Sequence, residues 1–321
     1  MKKKTINAVI CKKFDDFLGS IKDEKVRGLV EKNSIITGGC IASMLLREDV
    51  NDYDVYFTDR ETVIAVSEYY VEEFKKIKNP KHDDDREIDI HVDKDSDPYR
   101  VKIHIQSAGI AGENDKDDYK YFEQYPEEEG ISYIENLTES LVEKEEVAKT
   151  EETTTASTER YRPVFLSANA ITLSNSVQLV IRFYGKPEEI HDNYDYVHCT
   201  NYWSSKERKL ALNQAALESL LSRELQYVGS KYPLASVIRS RKFLKRGWTI
   251  NAGQYLKMAF QISKLDLTSI PTLEDQLIGV DVAYFMQLID GLKNHAEKEK
   301  EEGREFKLEY GYLATIIDKI F

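Results

Sequence analysis

The sequence predicts an α+β protein: a mixed β-sheet with helices over residues 1–205, followed by a helical domain over residues 206–321. Two observations carry that prediction. Short runs of apolar–polar alternation, such as Arg100–Gln106 and Val177–Phe183, are interleaved with segments of helical spacing throughout the first part. From Lys206 onward the alternation gives way to helical periods at Leu210–Leu225, Leu234–Lys245, Ala252–Lys264, Thr272–His295 and Tyr310–Ile320.

Taken in order, residues 5–33 read as helical, with Phe14, Phe17, Leu18 and Ile21 at helix-like spacing. Gly38 and Gly39 then mark a tight turn, followed by a short helix whose Ile41, Met44 and Leu45 suit one face. Asp52-Tyr53-Asp54 opens an apolar strand, and Thr58 is placed to cap a helix over Glu61–Lys76 with Val63, Ile64, Val66 and Tyr70 on its packed side. Glu87–Val92 and Arg100–Gln106 form a hairpin expected to extend the sheet. Pro163–Leu173 and Val177–Phe183 pair around Ser174-Asn175. A short helix at Lys186–His191 and a strand at Asp195–Cys199 complete this part.

Charge is unevenly distributed. The net charge is −12, and Glu113–Glu152, with fifteen acidic and four basic residues, holds most of that excess inside an insertion spanning about residues 107–162. Residues 143–160 lack a periodic apolar face and read as a mobile excursion. The opposite balance holds between Lys206 and Lys257, where eleven Lys or Arg face three Glu. There Arg239, Arg241, Lys242, Lys245 and Arg246 interleave with Phe243 and Trp248, a mixture that grips phosphates and offers rings for stacking, or else forms the solvated side of an amphipathic helix.

Several classes are set aside. No uninterrupted apolar run approaches the ~20 residues that span a bilayer, and Lys12 and Lys13 end the N-terminal apolar stretch too early for a signal peptide, so a cytoplasmic protein without a membrane partner is expected. Cys11, Cys40 and Cys199 have neither pairing arithmetic nor zinc spacing and read as reduced thiols. His91 and His104 can meet across the hairpin, but lack the soft ligands of a zinc site.

The chemistry concentrates at residues 36–57. Gly38 and Gly39 let backbone N–H groups approach a phosphate, and the helix that follows aims its positive end at the same anion. Asp52 and Asp54, two apart on a strand, face the same side, where two carboxylates repel unless a cation sits between them. Mg²⁺ or Mn²⁺ with a nucleoside triphosphate is the natural occupant.

On Gly38, Gly39, Asp52 and Asp54, with twelve residues between Gly39 and Asp52, the chain resembles the DNA polymerase β-like nucleotidyltransferase superfamily. The likeness covers about residues 34–60 and 163–203 and has the character of a divergent, bacteriophage-encoded version. It implies that the glycine turn binds the triphosphate and that Asp52 and Asp54 hold the metal ions. A third carboxylate on a neighbouring strand is also implied, with Asp195 preferred and Asp89 the rival. Arg239, Arg241, Lys242 and Lys245 are then expected to reach the triphosphate or an acceptor, and Trp248 or Tyr255 the base. The expected reaction moves a nucleoside monophosphate from an NTP to a hydroxyl on RNA, a nucleotide or a protein, in the host cytoplasm if phage-encoded. The alternative is an inactive scaffold of the same fold, such as a phage assembly or virion-associated protein.

Overall fold

In a computed structural model, residues 1–76, 89–95, 99–106, 160–166, 169–267, 269, 272, 273, 276 and 300 are described. Most of the acidic insertion and the helices expected over Thr272–His295 and Tyr310–Ile320 lie outside the described residues. The expected N-terminal helix is two: α1 (Lys3–Ser20) and α2 (Glu24–Asn33). Asp23 caps α2 by accepting from the backbone N–H groups of Lys25 and Val26 at 2.8 and 2.9 Å. Next come β1 (Ser34–Thr37), α3 (Gly39–Leu46), β2 (Tyr53–Phe57) and α4 (Arg60–Lys76). Asp59, rather than Thr58, accepts from the Thr62 N–H at the start of α4.

Seven strands form the main sheet. Besides β1 and β2 these are β5 (Pro163–Leu166), β6 (Ala170–Leu173), β7 (Val177–Tyr184), β8 (Tyr202–Ser204) and β9 (Lys209–Ala211), in the order β5-β6-β7-β2-β1-β8-β9. All neighbours are antiparallel except β2 and β7. Asn175 and Ser176 both have positive φ, as the tight turn between β6 and β7 demands. The hairpin of β3 (Asp89–Asp93) and β4 (Lys102–Gln106) forms where expected but makes its own two-stranded sheet. Its alternation specifies strands without specifying which sheet they join. The boundary expected at residue 205 falls inside the β8–β9 hairpin.

The two faces of the sheet differ. Ile36, Val55, Leu179 and Ile171 point into the main core, which α1, α2 and α4 cover with Ile6, Ile10, Phe14, Phe17, Val30, Val63 and Val66. Phe14 packs against the fully buried Trp203, ring centroids 5.0 Å apart. The opposite face carries Ile35, Tyr56, Val180 and Phe183 beneath Ile190 of α5 (Pro187–His191). Beyond the sheet, α6 (Gln214–Ser222), α7 (Pro233–Lys245) and α8 (Ala252–Ile262) enclose a second core of Tyr196, Leu220, Leu225, Tyr227, Trp248 and Met258. Ala42 of α3 belongs to that core, so the helices after the sheet rest directly on the glycine-turn helix.

Among the described residues no helix is long and apolar enough to cross a membrane. The main core sets the sheet, and Phe14 and Phe17 are the largest side chains α1 contributes to it. Phe14→Ala is expected to destabilise the protein by about 3–5 kcal/mol, read as a lower urea midpoint with an unchanged slope.

Candidate active site

The site begins where β1 ends. Gly38 leaves the strand at φ 90° and ψ −146°, a conformation that a side chain would strain, and its N–H donates to the Cys199 carbonyl at 3.2 Å. A Cβ added at Gly38 would lie 2.9 Å from Asp54 Oδ2 and 3.5 Å from Tyr194 Oη. The bare backbone of the turn therefore packs against the carboxylate. Gly39 opens α3, nothing lies within 4 Å of where its Cβ would be, and no side chain caps the helix. The first turn of α3 thus starts beside Asp54 without a side-chain cap on its N–H groups.

Strand register fixes the carboxylates. Asp54 stands opposite Thr37 in β1 and beside Gln178 in β7, and Thr172 of β6 pairs with Gln178, so one polar row crosses the sheet. The next row, Ile36, Val55, Leu179 and Ile171, belongs to the core, which is why Asp54 faces away from it. Asp52 sits exposed just ahead of β2. Burial, and then the neighbouring Asp52, push the half-buried Asp54 carboxyl up to about 7. Both effects oppose its ionised form, the condition that a bound cation reverses.

Around this pair the other groups are inert or structural. Burial and Asp54 raise the Cys40 thiol far above its usual range and bring Cys199 to about 12, so neither is a nucleophile at neutral pH. All three cysteines are free. His191, brought down to about 4 by burial, lies 2.9 Å from Thr37 Oγ1 through Nε2. The Thr37 hydroxyl donates its one proton to the Asn201 carbonyl at 2.9 Å, which leaves His191 as the donor and fixes its neutral Nε2–H form. His191 thereby clamps the strand that delivers Gly38. Its place at the end of an amphipathic Pro-Glu-Glu-Ile-His turn gave no sign of that role in the sequence.

Asp195 is the preferred third carboxylate of the sequence and Asp89 its rival; Asp195 and Asp54 both act on the Cys199 thiol. Asp195 lies in a bend before the short 3₁₀ turn Val197–Cys199, not on a strand; it is buried, and its Oδ2 accepts from Arg239 Nη1. Asp89 begins β3, in the separate two-stranded sheet. Among the described residues no three His, Cys, Asp or Glu side chains are grouped to hold a metal ion, and His91 and His104 stack at 5.3 Å with His104 bonded to Asp93. The position on β7 beside Asp54 is taken by Gln178. Asp52 and Asp54 nevertheless suit Mg²⁺, which is commonly held by one or two carboxylates with water and substrate phosphates completing its shell.

The basic residues divide. Arg239 is committed to Asp195, yet its charge also reaches Tyr56 and Cys199, the groups that feel Asp54. Lys242 and Lys245 are exposed on α7, and Arg241 is half-buried. Arg246 and Arg223 both pair with Glu48, just after α3, at 2.7 and 3.2 Å. Of the two rings expected near the base, Trp248 is buried against His198 and Phe243 in the second core, whereas Tyr255 is exposed.

Residues 8–223, about two thirds of the chain, match the sequence model of the Gabija anti-defense 2 family protein, and the chain belongs to that family. Among solved structures, the Thermotoga maritima CCA-adding enzyme complexed with tRNA aligns with a TM-score of 0.36 and 10% identity. The alignment covers 88% of this chain and 55% of that one, so the chain spans about half the length of that enzyme. No curated protein matches.

Two predictions follow the geometry. Gly38→Ala strains the turn and displaces Asp54, costing about 1–3 kcal/mol in urea unfolding, while Gly39→Ala stays within about 0.5 kcal/mol of wild type. Because the folded state keeps a proton on Asp54 that the unfolded chain has lost, stability in EDTA falls as pH rises from the usual carboxylate range, 3.8, to about 7. Asp54→Asn removes that slope, and at pH 8 it is expected to be more stable than wild type by on the order of 1–3 kcal/mol, after allowance for solvent screening. Thermal unfolding across pH measures both.

Proposed function

We propose that this chain is a metal-dependent nucleotidyltransferase, which moves a nucleoside monophosphate from an NTP to a hydroxyl acceptor and releases pyrophosphate. One observation carries the reading: an uncapped helix N-terminus opens beside an unpaired carboxylate whose neighbour is a second carboxylate. The first collects phosphate, the second a cation, and their adjacency is what a metal-bound triphosphate requires.

In the proposed reaction the N–H groups at Gly39 and Cys40 orient the triphosphate over the bare Gly38 turn. Asp52 and Asp54 would hold Mg²⁺ or Mn²⁺, which when bound neutralises triphosphate charge and lowers the acceptor hydroxyl's pKa. The acceptor oxygen bonds to the α-phosphorus as the α–β anhydride bond breaks, and pyrophosphate leaves with that electron pair. Arg239, held by Asp195, contributes positive potential that reaches Tyr56 and Cys199 beside Asp54. The basic face of α7 favours RNA as the acceptor, through Lys242 and Lys245. Membership of an anti-defence family supplies the setting, a counter-defence modification, which suits the phage origin implied by the sequence resemblance.

A second reading has one observation in its favour. Gln178, a neutral amide, occupies the strand position beside Asp54 and supplies no further charge for a metal ion, so the chain can also be a nucleotide-binding scaffold without catalysis. Incubation with Mg²⁺ or Mn²⁺ and each α-labelled NTP, with RNA, with protein extract and with no added acceptor, separates the two. Label transfer that drops by about 10²-fold or more in Asp54→Ala is expected for the enzyme. NTP binding with no transfer in any arm would leave the scaffold.

A further inference from the structure

Among the described residues several arginines are met by acids: Arg239 by Asp195, Arg246 and Arg223 by Glu48, and Arg208 by Asp15. Arg182 of β7 is different. It is only 8% exposed, and its guanidinium carbon lies 4.3 Å from the Tyr232 ring centroid and 5.2 Å from that of Phe183. Stacking on rings favours the cation's flat face but leaves its N–H groups wanting acceptors. Among the described residues none is supplied, and the buried Nη2 has no hydrogen-bond partner. An unmatched buried charge is expensive to keep, which is the mark of a group held ready for a ligand.

Two further sources of positive potential converge on the same place. The Lys231 ammonium lies 5.6 Å from the Phe183 ring centroid, so two cations flank one ring. Tyr232 is also the residue before α7, a helix of 13 residues that starts with Pro233, has no side-chain cap and carries no acid in its first turn. Its N–H groups and dipole therefore add to Arg182 and Lys231, and no acid of its own first turn offsets them.

We propose that Arg182, Lys231 and the N-terminus of α7 form a second phosphate-binding site, distinct from the glycine turn. It lies four residues along β7 from Gln178, about 13 Å at ~3.3 Å per residue. The triphosphate anchored at α3 leaves this site to another phosphate, which is carried by the acceptor; that assignment rests on the transferase reading, whereas the site itself does not. The acceptor is then a phosphorylated molecule, a polynucleotide or nucleotide, with its hydroxyl directed at Asp54 and a phosphate held by Arg182.

Inorganic phosphate titrated into the full-length protein in EDTA is the first probe, followed by thermal unfolding and calorimetry. Wild type and Asp54→Asn are expected to bind and be stabilised alike. Lys231→Ala is expected to weaken binding about tenfold, and Arg182→Met, which keeps the stem over Tyr232 without the charge, to abolish it. Should Arg182→Met fail to fold, Lys231→Ala decides. No phosphate response in wild type, an undiminished response in Lys231→Ala, or loss of the response in Asp54→Asn overturns the site. A 5′-phosphorylated oligoribonucleotide that displaces phosphate better than its 5′-hydroxyl counterpart supports the acceptor assignment; displacement by ATP alone overturns it. If phosphate binds as stated but no label is transferred, the transferase reading falls and the anion site stands.

Discussion

The close approach of the Gly38 backbone to the Asp54 carboxylate is the constraint on which the rest of the structure depends. It requires β1 to end in a left-handed turn, α3 to start at once, and β2 to lie beside β1 in a single register. Period-2 alternation makes that register common to core and site. The same pairing that sends Ile36 and Val55 into the core sends Thr37 and Asp54 out of it. A slip of one residue would bury the carboxylate among Phe14, Phe57 and Trp203. Apolar packing on one face thus fixes charge placement on the other.

What could be read from the sequence was local. The glycine pair, the short apolar helix and Asp52-Tyr53-Asp54 lie within one stretch of chain, and spacing alone determines how they meet. The identity of the strand beside β2 was not readable in this way. Its parallel partner β7 arrives after a long crossover, so that Gln178 stands next to Asp54 through pairing between distant segments. The local structure at Asp195 was hidden for a related reason: aromatic residues flank it as in a strand, but it lies in a bend, and its partner Arg239 is on a helix 44 residues later. The hairpin of β3 and β4 was legible as a hairpin and not as a separate sheet. Strands of three residues, such as β8 and β9, are too short to show a period at all.

The excess of basic residues after Lys206 takes on a definite form once α7 is placed. The ring of Tyr232, the residue before it, stacks on Arg182, its middle holds Asp195 through Arg239, and Arg246 just beyond its end holds Glu48 beside α3. Much of the local positive charge is therefore structural, binding the helices to the glycine-turn helix and to the bend at Asp195. Lys242 and Lys245 are left in solvent. A sequence count treats these roles alike because it registers charge without partners.

Gln178 also changes the electrostatic character of the site. A third carboxylate beside Asp54 would add to the repulsion from Asp52 and press its proton affinity above the present value near 7. A neutral amide spares the metal-free protein that penalty, and it leaves fewer fixed ligands for an ion. Two carboxylates hold Mg²⁺ weakly by themselves, since the ion keeps several waters and favours phosphate oxygens. On the transferase reading, the cation then enters most favourably together with the triphosphate, each completing the other's site. Such loading would release the proton on Asp54 and so would couple nucleotide binding to pH through the carboxylate that the Gly38 backbone holds in place.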